Sequence, residues 1–403
     1  MDIVVTTFLN PSGLSYVGQA FYKCFTRQGM RVVPLWLAMP SADWLDQKLA
    51  GEMMAASARP FDRPLQFHAG RADDIVTVKN AKPVVGSIVL EGNRLSPKQI
   101  AVLRSLDAVL VPSFFCRNVC ITSGVPRSKL FYLPYPLDAS VWNQSVQPKE
   151  NKGERFRLLW MNTCYERKGW DIMLRAFWEE FSADDPVELT MKSYREQGRE
   201  EHLDIVVAKL AAQLGVNRST RAPVRIIDTP MPAVEMPGFM KSFDAYVSPH
   251  RSEGFGLNPW HAMALGVPVV ATDYGGTCDF AKTDTAWLVK VASHSKPSPH
   301  ELSIFPQLSG TTWAEPDVAD LRRQMRSCLV NTDEARKKAG VGAAFVAQNY
   351  AETRILERFK DALGRIAPDV WEQLMPNQAI ERLAKQPSPK FESAEKPLRM
   401  PEI

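Results

Sequence analysis

Ser248 to Gly276 reads SPHRSEGFGLNPWHAMALGVPVVATDYGG, and its punctuation describes a loop, a helix, a buried strand and a turn, in that order. Asn258 is a good N-cap and Pro259 suits a first helical position, so the pattern predicts a helix running to about Leu265. Gly266 ends it as a C-terminal glycine. The apolar run Val267–Thr272 reads as a strand, and Gly275-Gly276 as a turn. Glu253, Gly254 and Gly256 then lie at a helix N-terminus. Free backbone N–H groups and the helix dipole attract an anion there, phosphate above all. A carboxylate beside such a place suits a ligand that is part phosphate and part hydroxyl, as a nucleotide sugar is.

Outward from this stretch, the second half alternates strand and helix. Phe156–Met161 is a strand, Asn162–Arg167 a loop, and Lys168-Gly169 opens a helix to about Phe181. Arg167 and Lys168 are aimed at the same place as the Glu253 loop, where two fixed cations hold a diphosphate and stabilise it as it leaves; otherwise they are ordinary surface charges. Val187–Lys192 is a strand, Arg195–Leu214 a charged helix and Val224–Ile227 a strand that ends at Asp228–Pro232. Pro237–Ser242 and Asp244–Val247 lead back to the opening stretch. Residues 292–312 are Ser/Pro-rich and expected to form a mobile surface loop. Trp313–Pro316 introduces a helix over Asp317–Leu329, and helices over Glu334–Asn349 and Glu352–Ile366 follow.

The first half opens with a βαβ pattern: strand Asp2–Leu9, turn Asn10–Gly13, helix Tyr16–Arg27, strand Arg31–Leu37. That favours a parallel sheet. Gly13 lets backbone approach a ligand at the strand's carboxyl end, or serves as a plain turn. Residues 39–63 read as loop and short helix. A strand ends near His68, and the buried run Pro83–Leu90 ends at Glu91. Strand ends are where sites form, which makes His68 and Glu91 candidates to line an acceptor side. The alternatives are a satisfied buried histidine and a capping or salt-bridging acid. A helix over Pro97–Leu106, a strand over Asp107–Val111, a helix from Ser113 and a strand over Leu130–Leu133 complete this half. Residues 139–154 are polar and aperiodic, and the boundary between halves falls there.

The chain has 403 residues, 45% of them hydrophobic, and a net charge of +4. Residues 1–150 hold 16 Lys and Arg against 11 Asp and Glu, and the remainder 33 against 34. The first half thus carries the excess, which suits an acidic acceptor or an anionic surface unless it is incidental. The six cysteines are scattered and read as buried thiols rather than metal ligands or disulfides. No apolar run approaches the roughly 20 residues of a membrane span, and the start MDIVVTTFL reads as a first strand. A cytoplasmic protein, peripheral to a membrane at most, is expected.

The residues Glu253, Gly254, Phe255, Gly256, Leu257, Ala262, Met263, Ala264, Gly266, Pro268, Val269, Ala271 and Thr272 resemble the donor-site signature EGFGLxxxEAMAxGxPVxAT of family 4 of the retaining GT-B glycosyltransferases, the group 1 glycosyl transferases. The resemblance covers about residues 1–366 and is specific in the second half. It implies an α/β protein of GT-B type: two Rossmann-like domains facing a cleft. Residues 1–150 would form the acceptor domain and 151–350 the donor domain. A crossover helix over 351–375 would return to the first domain, and 376–403 would be a flexible tail. Where the family has its second glutamate, on the donor ribose, this chain has His261, which implies altered nucleotide contacts.

The resemblance further implies that Glu253 binds donor-sugar hydroxyls, that Arg167 and Lys168 (as in ERKGWD) bind the diphosphate, and that the Gly13 loop faces the phosphates. Gly254, Phe255, Gly256, Leu257 and Asn258 line the donor. Asn162 and Thr163 stand where the family more commonly has a Gly-Arg phosphate contact. Thr229 and Met231 belong to the nucleobase loop. Some relatives carry an acid at the place of Glu91. No Asp-x-Asp pair occurs, and no metal or other cofactor is expected. The expected reaction moves a hexose from UDP-glucose, or next GDP-mannose, to a hydroxyl of a saccharide or glycolipid. A hydroxymethylated DNA base is the alternative acceptor, and a non-catalytic nucleotide-sugar-binding protein the alternative class. The oligomeric state is left open.

Overall fold

The computed structural model describes residues 1–41, 43, 45–150, 153–193 and 203–375. Among these residues, twelve strands form two six-stranded sheets, parallel throughout. The first half runs β1 (Ile3–Thr7), α1 (Gly13–Arg27), β2 (Val32–Trp36), α2 (Gln47–Ser57), β3 (Leu65–Gly70), β4 (Val84–Ile88), α3 (Pro97–Ser105), β5 (Ala108–Val111), α4 (Phe114–Thr122) and β6 (Leu130–Tyr132). Its sheet order is β2-β1-β3-β4-β5-β6. The second half runs β7 (Phe156–Met161), α5 (Trp170–Glu180), β8 (Val187–Ser193), α6 (Leu203–Gln213), β9 (Val224–Asp228), α7 (Met236–Lys241), β10 (Ala245–Ser248), α8 (Leu257–Ala264), β11 (Val269–Thr272) and β12 (Trp287–Val289). Its order is β12-β11-β10-β7-β8-β9. The α/β fold with two Rossmann-like halves is therefore as expected. The eight residues before Leu203 in the charged helix, and the tail 376–403, lie outside the described residues.

The strands form because they are runs of β-branched and other apolar residues covered on both faces, as parallel sheets require. All five residues of β1, IVVTT, are buried. In each sheet the strand order reverses once, next to β1 in the first and between β7 and β10 in the second. Crevices for ligands open outside the carboxyl ends of strands at such points. β7 runs into a 3-10 turn over Glu166–Lys168, and β10 runs into Glu253. The topology thus delivers both cations and the carboxylate to one crevice.

Residues 292–312 are not a loop. β13 (Val291–Ser295) pairs antiparallel with β14 (Trp313–Pro316), and α9 (Pro299–Ile304) and a 3-10 turn over Pro306–Leu308 lie between them. Ser298 caps α9 through the Glu301 N–H at 3.1 Å, and Pro299 occupies its first turn. Trp313 is buried and donates its indole N–H to Ser295 Oγ at 2.9 Å. Serine and proline here mark a cap and a first turn. Trp313–Pro316 is likewise a strand ahead of the helix, which starts after the Asp317 cap.

The chain closes with α10 (Val318–Val330), α11 (Thr332–Asn349), α12 (Glu352–Ile366) and α13 (Val370–Leu374). α12 lays its apolar face on the first half. Phe359 packs on Phe25 and Phe67, with ring centroids 5.2 and 5.6 Å apart. Arg27 pairs with Glu352 at 2.5 Å and also with Asp138, which Lys23 holds at 2.6 Å. One apolar cluster consequently runs from β1 and β3 through α12 to α8. No described helix is long and apolar enough to cross a membrane. None of the six cysteines is in a disulfide.

Candidate active site

Glu253, Arg167 and Lys168 meet at the switch point of the second sheet. Lys168 Nζ lies 2.5 Å from Glu253 Oε1, and Arg167 Nη1 lies 3.8 Å from Glu253 Oε2. All three are buried or nearly so. Burial alone would raise the Glu253 carboxyl, but Lys168, then Arg167 and His250, hold it below the usual carboxylate range. Burial and the neighbouring Arg167 lower the Lys168 ammonium, against the pull of Glu253. Burial also works against the Arg167 charge, yet Glu91, Glu253 and Glu301 together raise its guanidinium. The turn carrying the cations is fixed from behind. Arg251 donates to Glu166 O at 2.6 Å and grips Asp171 and Glu315, and its own N–H donates to Arg167 O at 2.8 Å.

The structure corrects the cap of α8. Gly256, with φ at +92°, precedes the helix as its cap, a backbone state that favours glycine. Asn258 lies inside the first turn. Its amide donates to Met161 O at 2.6 Å and to Asn162 Oδ1 at 3.3 Å, tying α8 to the end of β7. Gly254 answers to a different demand. A Cβ there would lie 2.3 Å from Leu90 O at the exit of β4, so only glycine lets the two halves approach this closely. Ser113 Oγ donates to Gly254 O at 2.6 Å, and the Phe114 N–H donates to Asp279 Oδ2 at 3.0 Å across the same seam. Burial pushes the Asp279 carboxyl up to about 7. Gly13 faces Leu257 at the start of α8, whose Cδ1 would lie 3.2 Å from a Cβ at that position. Phe255 is buried in the shared core, 4.6 Å from the Tyr135 ring.

The remaining candidates are placed unequally. Glu91 joins the cluster, its Oε1 2.6 Å from Arg167 Nη2. His68 does not: it is fully buried, with Nδ1 3.1 Å from Thr6 Oγ1 and Nε2 3.0 Å from Arg71 O. Both ring nitrogens are spent on the protein, so it is withdrawn as an acceptor-side candidate. His261 stacks on Trp142 of the segment joining the halves, with centroids 3.7 Å apart, and meets Tyr16 edge-on. Burial lowers it to about 3, so the ring is neutral; its Nε2 is buried without a hydrogen-bond partner. Thr163 is half-buried in the loop after β7, and Met231 packs half-buried against the shared core. Thr229 O accepts from Lys192 Nζ at 2.5 Å.

Three residues here escaped the sequence reading. Lys192 links β8 to the loop after β9, and burial lowers it to about 8. Glu301 of α9 is buried and accepts the Glu166 N–H at 3.0 Å, while the Glu166 carboxylate accepts the Ser298 N–H. Phe305 lies 5.8 Å from the Arg167 guanidinium. The spacing Ser298-x-x-Glu301 is a helix-start pattern that would have flagged α9. No such signal marks Lys192. Among the described residues no three His, Cys, Asp or Glu gather as a metal-holding group.

Comparison with known proteins bears on the fold and on the segment that holds these residues. Residues 155–296 match the family model of the glycosyl transferases group 1, the segment that contains both cations and Glu253. Two curated relatives are similar over short stretches. The lipopolysaccharide core biosynthesis mannosyltransferase LpsB of Rhizobium meliloti is 58% identical over 40 residues, 10% of this chain and 11% of that protein. D-inositol 3-phosphate glycosyltransferase 1 of Catenulispora acidiphila is 30% identical over 126 residues, 30% of this chain and 29% of that protein. The chain therefore spans under a third of the length of either relative.

Solved structures resemble it over nearly the whole chain. HepE of Anabaena, in complex with UDP and glucose, has a TM-score of 0.65 at 13% identity, covering 90% of this chain and 99% of that one. The α,α-trehalose 6-phosphate synthase of Burkholderia multivorans has 0.64 at 9% identity, covering 92% and 99%. At such identities the likeness shows the fold alone, which is GT-B. The group 1 match and the fold together support a glycosyltransferase.

Proposed function

We propose that the chain is a retaining, metal-independent glycosyltransferase that moves a hexose from a nucleoside diphosphate sugar, UDP-glucose first and GDP-mannose second, to a hydroxyl of a saccharide or glycolipid. The observation that carries this reading is the buried Lys168–Glu253 pair at 2.5 Å, with Arg167 beside it, at the switch point of the second sheet. The fold likeness to a protein solved with UDP and glucose favours a UDP-sugar. The relatives' names, a lipopolysaccharide core mannosyltransferase and an inositol phosphate glycosyltransferase, favour a hydroxyl acceptor.

Glu253 accepts hydrogen bonds from donor-sugar hydroxyls and fixes the reactive pose. Arg167 and Lys168 receive the charge that develops on the departing diphosphate, the work a metal would otherwise do. The acceptor oxygen bonds to the anomeric carbon on the face the phosphate leaves, and its proton passes to the leaving phosphate oxygen. No enzyme nucleophile is needed.

Part of the first-half basic charge lends little to a DNA acceptor. Lys23 and Arg27 are tied to Asp138, Arg31 to Asp2, Arg71 to Asp74, and Lys129 to two backbone carbonyls. The test is transfer from a labelled nucleotide-sugar panel, without added metal, to a saccharide and glycolipid pool and to hydroxymethylated duplex DNA. Label is expected in the first pool. Label in DNA overturns the acceptor class, and transfer only with added metal overturns the metal-independent mechanism.

A further inference from the structure

Glu91 belongs to the first half, at the exit of β4, yet it makes the shortest ion pair to Arg167, at 2.6 Å against 3.8 Å for Glu253. Arg167 Nε and Nη1 are buried without hydrogen-bond partners. Of Glu91, Arg167, Lys168 and Glu253, Glu91 is the most accessible: 28% exposed, against 7%, 13% and 8%. Glu91 also lines a small crevice of about 30 Å³ between the halves, with Arg94 and Gln99 of the first half and Gln307 and Leu308 of the second. Glu91 therefore has a buried cation on one side and this crevice beside it.

Charge makes this arrangement unstable toward a phosphate ligand. Glu91, Glu253 and Glu301 all act on Arg167, and Lys168 is engaged by Glu253. An incoming diphosphate adds like charge to a site already rich in carboxylates, where anions a few ångströms apart oppose one another. The carboxylate that can leave is the exposed one, held by the other half.

We propose that Glu91 and the donor diphosphate exchange on Arg167, and that the released Glu91 accepts a hydrogen bond from a hydroxyl of the acceptor other than the one that attacks, at the crevice it lines. The inference rests on the donor-site reading above. It sets an order: the acceptor's partner is freed only after the donor has taken Arg167. Glu91 takes no part in the proton transfer, since the proton of the attacking hydroxyl goes to the leaving phosphate.

UDP and GDP are the probes, titrated calorimetrically into the wild type, Glu91→Gln, Glu91→Asp, Arg167→Ala and the Glu91→Gln/Arg167→Ala double variant. Glu91→Gln keeps the shape and removes the competing charge. It should tighten binding of the accepted nucleotide about two- to tenfold at low salt, while Glu91→Asp, which keeps the charge, should not. In the Arg167→Ala background the gain should shrink to within about twofold. In transfer assays Glu91→Gln should raise the acceptor KM about tenfold, the loss of one hydrogen bond to a charged group, without raising the donor KM. Unchanged or weakened nucleotide binding in Glu91→Gln, an equal gain without Arg167, or an unchanged acceptor KM overturns the exchange. A wild type that binds UDP but transfers no sugar sinks the transferase reading alone, and the binding arms still decide the exchange. Failure of the wild type and Glu91→Gln alike to bind either nucleotide overturns the exchange itself.

Discussion

Two buried polar residues, His68 of β3 and Arg167 after β7, sit toward the carboxyl ends of the two sheets, and they differ in how fully they are satisfied. In the first half, His68 spends both ring nitrogens on Thr6 and Arg71. In the second, Arg167 keeps Nε and Nη1 without partners, and Glu301 Oε1 and Ser252 Oγ are in the same condition. A buried polar atom with no partner costs roughly 1–3 kcal/mol, more for a charged group. Thr7 Oγ1 and Ser87 Oγ of the first half are unpartnered as well, so under the reading proposed above it is the charge of Arg167 beside Glu253, and not an orphaned atom alone, that suits a ligand. The difference separates the two candidates, His68 and Arg167, that strand-end logic alone treats alike.

Glu253→Gln breaks the comparison most severely if it is right. The amide cannot stay ion-paired with Lys168 at 2.5 Å, and transfer from UDP-glucose should fall about a hundred- to a thousandfold, read as initial rate at saturating donor. A fall of less than about tenfold would return Glu253 to a structural role. Gly254→Ala should follow. Its Cβ would lie 2.3 Å from Leu90 O, so the halves must part. Overpacking of this kind costs about 1–3 kcal/mol, and here opening relieves it. Transfer should drop about tenfold or more while the melting temperature moves little. An unchanged rate would show that closure at this seam is not part of catalysis.

Much of this was legible in the chain because local rules and the global fold agree there. β7 is found where the pattern Phe156–Met161 put it and α12 where Glu352–Ile366 did. Strand-end logic alone was enough to bring Arg167, Lys168 and Glu253 together. What was not legible depends on contacts distant in sequence. Asn258 has the chemistry of a cap but spends its amide on Met161 and Asn162, nearly a hundred residues earlier. Gly254 looks like a loop glycine, and its reason lies in Leu90 of the other half. Glu301 sits in a Ser/Pro-rich stretch, and only its bond to the Glu166 N–H shows what it supports.

His68→Gln should have the smallest effect on transfer and sharpens the comparison from the structural side. A satisfied histidine should leave the transfer rate within about threefold, because the change reaches only Thr6 and the Arg71 carbonyl, and isolated hydrogen bonds are worth about 1 kcal/mol. Its signature is in stability. Burial lowers the His68 ring from 6.5 to about 4, so between these values the unfolded chain binds a proton that the folded chain does not. The unfolded state then gains as pH falls, and stability declines from about pH 6.5 toward 4. A shift of this size corresponds to roughly 3 kcal/mol. His250 and His261 are lowered by burial as well and add slope in the same direction. Glutamine offers one donor and one acceptor in place of the ring and does not titrate. The variant should therefore show a shallower loss than the wild type in urea midpoints measured at about pH 7.5 and pH 5. An equal slope in both proteins would mean that His68 takes up its proton while still folded. Its partners would then be too loose for it to count as satisfied, and the contrast with Arg167 would fail.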